Sequence, residues 1–129
     1  MRALSSLAVA VIFSLLAGCD VQSPICLASV EPAIIVEVRS GATGPLDADG
    51  VTGVLIEGAY RDTMRLLEES RPLTLEGGYE RSGTYTVAVR KRGFEPWVKP
   101  MVYVAEGECG PETKRLTAEL EPDSSGAGR

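Results

Sequence analysis

Any chemistry in this 129-residue chain must come from a short repertoire, because it contains no histidine. Ser/His/Asp and Cys/His nucleophilic arrangements are therefore excluded, and the common zinc-ligand sets lose their nitrogen donor. What remains is Cys19, Cys26 and Cys109, a few neighbouring carboxylates, one basic run and one aromatic group. Glu68-Glu69 and the pair Glu106 and Glu108 are of the type that does acid/base work, but they sit in no recognisable pocket motif and read as solvated side chains. Asp47-Ala48-Asp49-Gly50 opens like a calcium loop. It lacks the later spaced carboxylates and the closing glutamate, so it reads as an Asp/Gly turn. Arg90-Lys91-Arg92 reads as a solvated strand end, with contact to anionic headgroups as its functional alternative. No residue set asks for a cofactor or metal, and the expectation is a protein that is not an enzyme.

The elements that position these residues begin with a segment that is removed. Arg2 supplies a positive end, and Leu7 to Leu16 is an uncharged stretch too short for a stable membrane span, which needs about 20 residues. Leu16-Ala17-Gly18-Cys19 follows and resembles the lipobox of bacterial lipoproteins. That resemblance implies cleavage before Cys19, a diacylglycerol on its thiol, and a mature chain on the extracytoplasmic side of a bacterial membrane. Asp20, next to that cysteine, resembles the inner-membrane retention signal of enteric bacteria. With the Cys19 thiol acylated, Cys26 and Cys109 remain as an even pair in an oxidising compartment, and a disulfide between them is the natural reading. Two separate buried thiols are the alternative.

Removal of residues 1–18 leaves about 111 residues, enough for one domain. The sequence predicts a tether at 19–29, a globular domain at 30–121 and a disordered tail at 122–129. Across the domain apolar residues recur with period two, the mark of half-buried strands. Ile34, Val36 and Val38 share one face. Val51 to Ile56 is a second strand, Leu73 and Leu75 mark a third, and Leu116, Ala118 and Leu120 form the last inward face. Gly83 to Arg90 is the clearest strand, with Tyr85, Val87 and Val89 inward and Thr84, Thr86, Ala88 and Arg90 outward. Val98, Pro100, Val102 and Val104 alternate with Lys99, Met101 and Tyr103, and the proline demotes the first half of that strand to an edge or a bulge. Residues 60–70 fit both periods; a strand near Thr63 to Leu67 is the preferred assignment over a helix. Six or seven short strands between Gly/Pro/Asp turns predict an all-β fold, an antiparallel β-sandwich.

Gly83-Thr84-Tyr85-Thr86-Val87-Ala88-Val89, followed by Gly93-Phe94, resembles the motif of carboxypeptidase regulatory-like domains. The strand Ala33 to Ser40 running into Gly41-Ala42-Thr43-Gly44-Pro45-Leu46 is similar to that family's opening. The resemblance spans residues 30–121 and implies a transthyretin-like sandwich without a peptidase active site, since such modules are appended to many unrelated proteins. Sandwiches of this class include carbohydrate-binding modules that stack sugars on exposed aromatics. Phe94, Trp97 and Tyr103 are thus possible ligand contacts, or else plugs at one end of the core. The resulting expectation is a lipid-anchored cell-envelope binding or interaction module, with a membrane as one partner and an envelope protein as the other. A carbohydrate-binding module for envelope glycans is the alternative. Nucleic acid is excluded as a partner, because 18 acidic against 13 basic residues give a net charge of −5, unsuited to phosphate contacts.

Overall fold

The computed structural model describes residues 25–27, 29–41 and 46–124. The signal segment, Cys19 and Asp20 therefore lie outside the described residues, as does the tail from 125 onward. In chain order the strands are β1 (Ile34–Ser40), β2 (Thr52–Glu57), β3 (Tyr60–Thr63), β4 (Arg65–Leu67), β5 (Leu73–Gly77), β6 (Gly83–Arg90), β7 (Trp97–Val104), β8 (Glu106–Gly107), β9 (Gly110–Pro111) and β10 (Lys114–Leu120). The fold is all-β, and among the described residues there is no α-helix.

β6 anchors the architecture. Tyr85, Val87 and Val89 are at most 1% exposed, and a one-residue slip would turn Arg90 inward and these three out, so the register has one solution. β6 pairs antiparallel with β2 and β7, giving the four-stranded order β3-β2-β6-β7. A second four-stranded sheet has the order β10-β1-β5-β4, and β8-β9 is a separate hairpin. One apolar core unites the two large sheets: Ile34, Val36, Val38, Leu73, Leu75, Ala118 and Leu120 from one join Leu55, Tyr85, Val87, Val89, Val102 and Val104 from the other. Complete burial of each such side chain is worth about 1.5–3 kcal/mol.

The molecule departs from its sequence reading in four places. First, residues 60–67 form not one strand but two, β3 in one sheet and β4 in the other, with buried Met64 carrying the chain across. The Met64 N–H donates to the Gly53 carbonyl at 2.8 Å. Gly53 permits the crossing, since a Cβ there would lie 2.8 Å from Leu75 Cδ1 and 3.0 Å from Met64 Sδ. This division and the β8-β9 hairpin raise the strand number above six or seven. Second, the pairing is not wholly antiparallel, because β1 runs parallel to β10, Ile34 opposite Lys114 through Ser40 opposite Leu120. A parallel pair needs a long connection, and here nearly the whole domain supplies it.

Third, the inward set of β7 changes partway along. Tyr85 faces Val102 and Val87 faces Lys99, so Pro100 and Met101 together oppose Thr86 alone, a bulge on an edge strand where proline forfeits no ladder bond. Met101 takes φ 57° there. Val102 and Val104 are buried as expected, but the bulge shifts the parity upstream, so Trp97 leans on the core and Val98 is 53% exposed. Fourth, the ordered body runs past 121: Phe94 bridges to Pro122, and the Asp123 N–H donates to the Gly93 carbonyl at 2.8 Å. Backbone bonds hold this stretch in place of the apolar side chains it lacks.

Candidate interaction surface

The Sγ atoms of Cys26 and Cys109 are 2.01 Å apart and their Cα atoms 5.2 Å apart, a disulfide. Cys109 sits in the two-residue turn between β8 and β9, and Cys26 precedes β1. The bond therefore joins the N-terminal segment to the hairpin that lies between the end of β7 and the start of β10.

At the opposite end of the sheets, the Asp47–Gly50 turn meets the β6–β7 turn. The Asp49 N–H donates to Asp47 Oδ1 at 3.1 Å, an Asx turn. The Lys91 ammonium donates to the same oxygen at 2.8 Å and to the Asp49 carbonyl. That ammonium, on a side chain only 10% exposed, ties the Asp/Gly turn to the end of β6. Its hydrogen bond and charge hold the Asp47 carboxyl below the ordinary carboxylate range. Of the basic run, Lys91 is thus committed to structure, while Arg90 and Arg92 are exposed. Gly93, at φ 85°, completes the turn in which the Phe94 N–H donates to the Lys91 carbonyl.

The three aromatics do not form one platform. Phe94 and Trp97 are partly buried against the core. Tyr103, opposite Thr84 on the outer face, is 62% exposed near the other end of β7. Trp97 faces inward with Val89, and six residues of strand, about 20 Å, separate it from Tyr103.

Two further groups were not evident from sequence. Arg81 lies with its guanidinium carbon 4.0 Å from the Tyr60 ring centroid and donates to Glu57 at 3.1 Å. Glu57 also accepts from the Thr84 N–H, and the Tyr85 hydroxyl donates to the Arg81 carbonyl at 2.6 Å. Burial raises the pKa of Tyr60 and of Tyr85 above 10, with Asp62 adding to the shift at Tyr60. This cluster closes the end of the core. Among the acidic pairs, Glu106 accepts from the Ser82 hydroxyl, Glu108 lies in the β8-β9 turn, and Glu68 and Glu69 lie in the connection between β4 and β5.

The second group is a surface. Residues opposite one another in register share a face, so the outer side of β3-β2-β6-β7 carries Val54, Ile56, Ala88, Val98 and Tyr103 among Thr63, Thr84, Thr86, Arg61 and Arg90. The outer side of the other sheet is charged, with Arg39 and Glu37 paired at 2.9 Å and Arg65 and Glu76 at 3.1 Å. This mixed face ends at β7, an edge strand on which Val98, Met101 (80%) and Tyr103 are all exposed. β10 is likewise an edge. Between the two edges runs a groove of about 290 Å³, lined by Lys99, Met101, Val102, Tyr103, Lys114 and Leu116. The opposite side of the body, by contrast, is spanned by the continuous chain at Met64.

No protein-family model matches the chain, and no curated protein matches it.

Proposed function

We propose that the chain is a non-catalytic, lipid-anchored module of the bacterial cell envelope, a β-sandwich of the carboxypeptidase regulatory-like (transthyretin-like) type, and that it binds a protein partner along β7. The observation that carries the reading is the concentration of exposed apolar side chains, Val98, Met101 and Tyr103, on one unpaired edge strand. Scattered apolar residues are normal on a surface, but three of them exposed together on one edge strand are a recognition feature. A glycan-stacking strip has less support, since Phe94 and Trp97 lean on the core and Tyr103 alone presents an open ring. The absence of histidine and the engagement of Asp47 by Lys91 fit a module without catalytic groups. The resemblance at Leu16-Ala17-Gly18-Cys19 supports the anchor, and Asp20 favours the inner membrane.

Photo-crosslinking in the native envelope tests this reading. A benzophenone side chain at position 98 or 103 of the full-length protein should capture a protein, whereas one at Arg65, exposed on β4 at the far edge of the other sheet, should not. Silence from both β7 positions, or equal capture from position 65, would overturn the assignment of the surface.

A further inference from the structure

The groove between β7 and β10 is lined by positive charge alone. Its lining contains two lysines and no carboxylate, in a protein of net charge −5. The remaining lysine of the chain, Lys91, is consumed by Asp47, whereas neither Lys99 nor Lys114 has an ion-pair partner among the described residues. Both occupy positions that alternation assigns to the inner face: Lys99 is opposite buried Val87, and Lys114 is opposite buried Ile34. Both are exposed, and they line the groove together with buried Val102 and partly buried Leu116. The floor of the groove is thus apolar and its margins are cationic.

We infer that this groove accepts an extended acidic peptide, which adds as a strand to the free edge of β10 and sets its carboxylates against Lys99 and Lys114. This rests on the protein-binding reading above and names the chemistry of the partner. β10 is the better template of the two edges, having seven paired residues in unbroken register with β1, whereas β7 is interrupted by Pro100 and its bulge. Unpaired N–H and C=O groups along an edge favour a peptide strand over a headgroup or free anion, neither of which can satisfy them. Charged side chains at an edge repel a plain apolar strand, and here that penalty is lifted only by an incoming strand that carries acids.

The probe is a fluorescein-labelled octapeptide alternating Asp and Val, titrated into the full-length protein in neutral detergent and followed by anisotropy. It should bind, and the Lys/Val counterpart should not. Reversing both charges, Lys99→Glu with Lys114→Glu, should weaken binding at least about tenfold, in line with two surface ion pairs turned into repulsions. N-methylation of alternate peptide amides should abolish binding, because it removes the donors a strand requires. Trp97 emission and the melting temperature of the double variant report that it is folded; both substituted positions are exposed, so parental values are expected. Equal binding of the basic peptide, indifference to charge reversal in a folded variant, or retention of the N-methylated peptide each overturns the inference. So does displacement of the peptide by phosphatidylglycerol vesicles but not by unlabelled peptide, which would mark the groove as a headgroup site. If positions 98 and 103 still crosslink a protein while the octapeptide fails, only this inference falls; if both are silent, the protein-binding reading falls with it.

Discussion

Removing the Tyr85 hydroxyl separates two contributions that share one side chain. The ring is fully buried and tilted against Tyr60, with centroids 6.3 Å apart, while the hydroxyl donates to the Arg81 carbonyl at 2.6 Å. Tyr85→Phe keeps the ring and leaves that carbonyl without its donor, at a cost of about 1–2 kcal/mol. For a domain of this size, each kcal/mol moves the melting temperature by about 4–8 °C, so a fall of about 4–16 °C is expected. Tyr85→Ala adds a cavity in the middle of the core and should cost about 3–5 kcal/mol, a large share of a typical domain's net stability of about 5–15 kcal/mol. Thr86→Ala, one residue along and on the outer face opposite Ile56, should stay within about 0.5 kcal/mol of the parent. Urea unfolding of the three variants, monitored by Trp97 fluorescence and by far-ultraviolet circular dichroism, gives the ordering directly. If Tyr85→Phe melted within about 2 °C of the parent, the hydroxyl contact would not be holding the 78–82 turn onto β6. If Thr86→Ala were as damaging as Tyr85→Ala, the face assignment of β6 would be refuted.

Burial raises the pKa of Tyr60, Tyr79 and Tyr85 in the folded protein, Glu76 adding to the shift at Tyr79. Their contribution to stability is therefore intact below about pH 10 and is lost as pH rises beyond it, because the unfolded chain gives up these protons first. Urea midpoints measured from pH 8 to 11 should be level and then decline, with a shallower decline in Tyr85→Phe. Asp47 has the opposite sign: its carboxyl should titrate below the ordinary aspartate value by NMR in the parent and rise toward it in Lys91→Met, where only the Asp49 N–H still holds it down. Cys19→Ala should abolish palmitate labelling and release the protein from membranes, and labelled palmitate on that variant would remove the anchor. Cys26→Ser with Cys109→Ser opens a closure of 83 residues and should lower stability by about 4–5 kcal/mol in the chain-entropy model; an unchanged urea midpoint would contradict it.

How much of this was legible in the sequence depends on the range of the determinant. β6 was readable because Tyr85, Val87 and Val89 alternate against Thr84, Thr86, Ala88 and Arg90 without interruption, and alternation is a local property. The same reading placed Val98 inward, since sequence shows that Pro100 must disturb the strand but not on which side of the disturbance the parity changes. Met64 has the apolar character of a strand residue, yet its role in passing the chain between sheets depends on Gly53 and Leu75 beneath it. The parallel alignment of β1 with β10 joins opposite ends of the domain and leaves no local trace. Asp47 and Lys91 stand 44 residues apart, so the occupant of the Asp/Gly turn could not be named from the turn itself. The groove was hidden for the same reason: Lys99 and Lys114 belong to different sheets and meet only because both strands are edges.

The disulfide also decides how the body would carry a load. A pull on the chain ahead of Cys26, with no cross-link, would travel through residues 29–33 into β1, and β1 lies between β5 and β10 at the centre of its sheet. With Cys26 bonded to Cys109, the tension leaves the backbone at the sulfur bridge and passes into the β8-β9 turn. It is divided there between the end of β7 and the start of β10, one strand from each sheet. Peeling β1 out of its ladders would first require the hairpin to give way, so the strand that organises one half of the core is mechanically shielded from its own N-terminus.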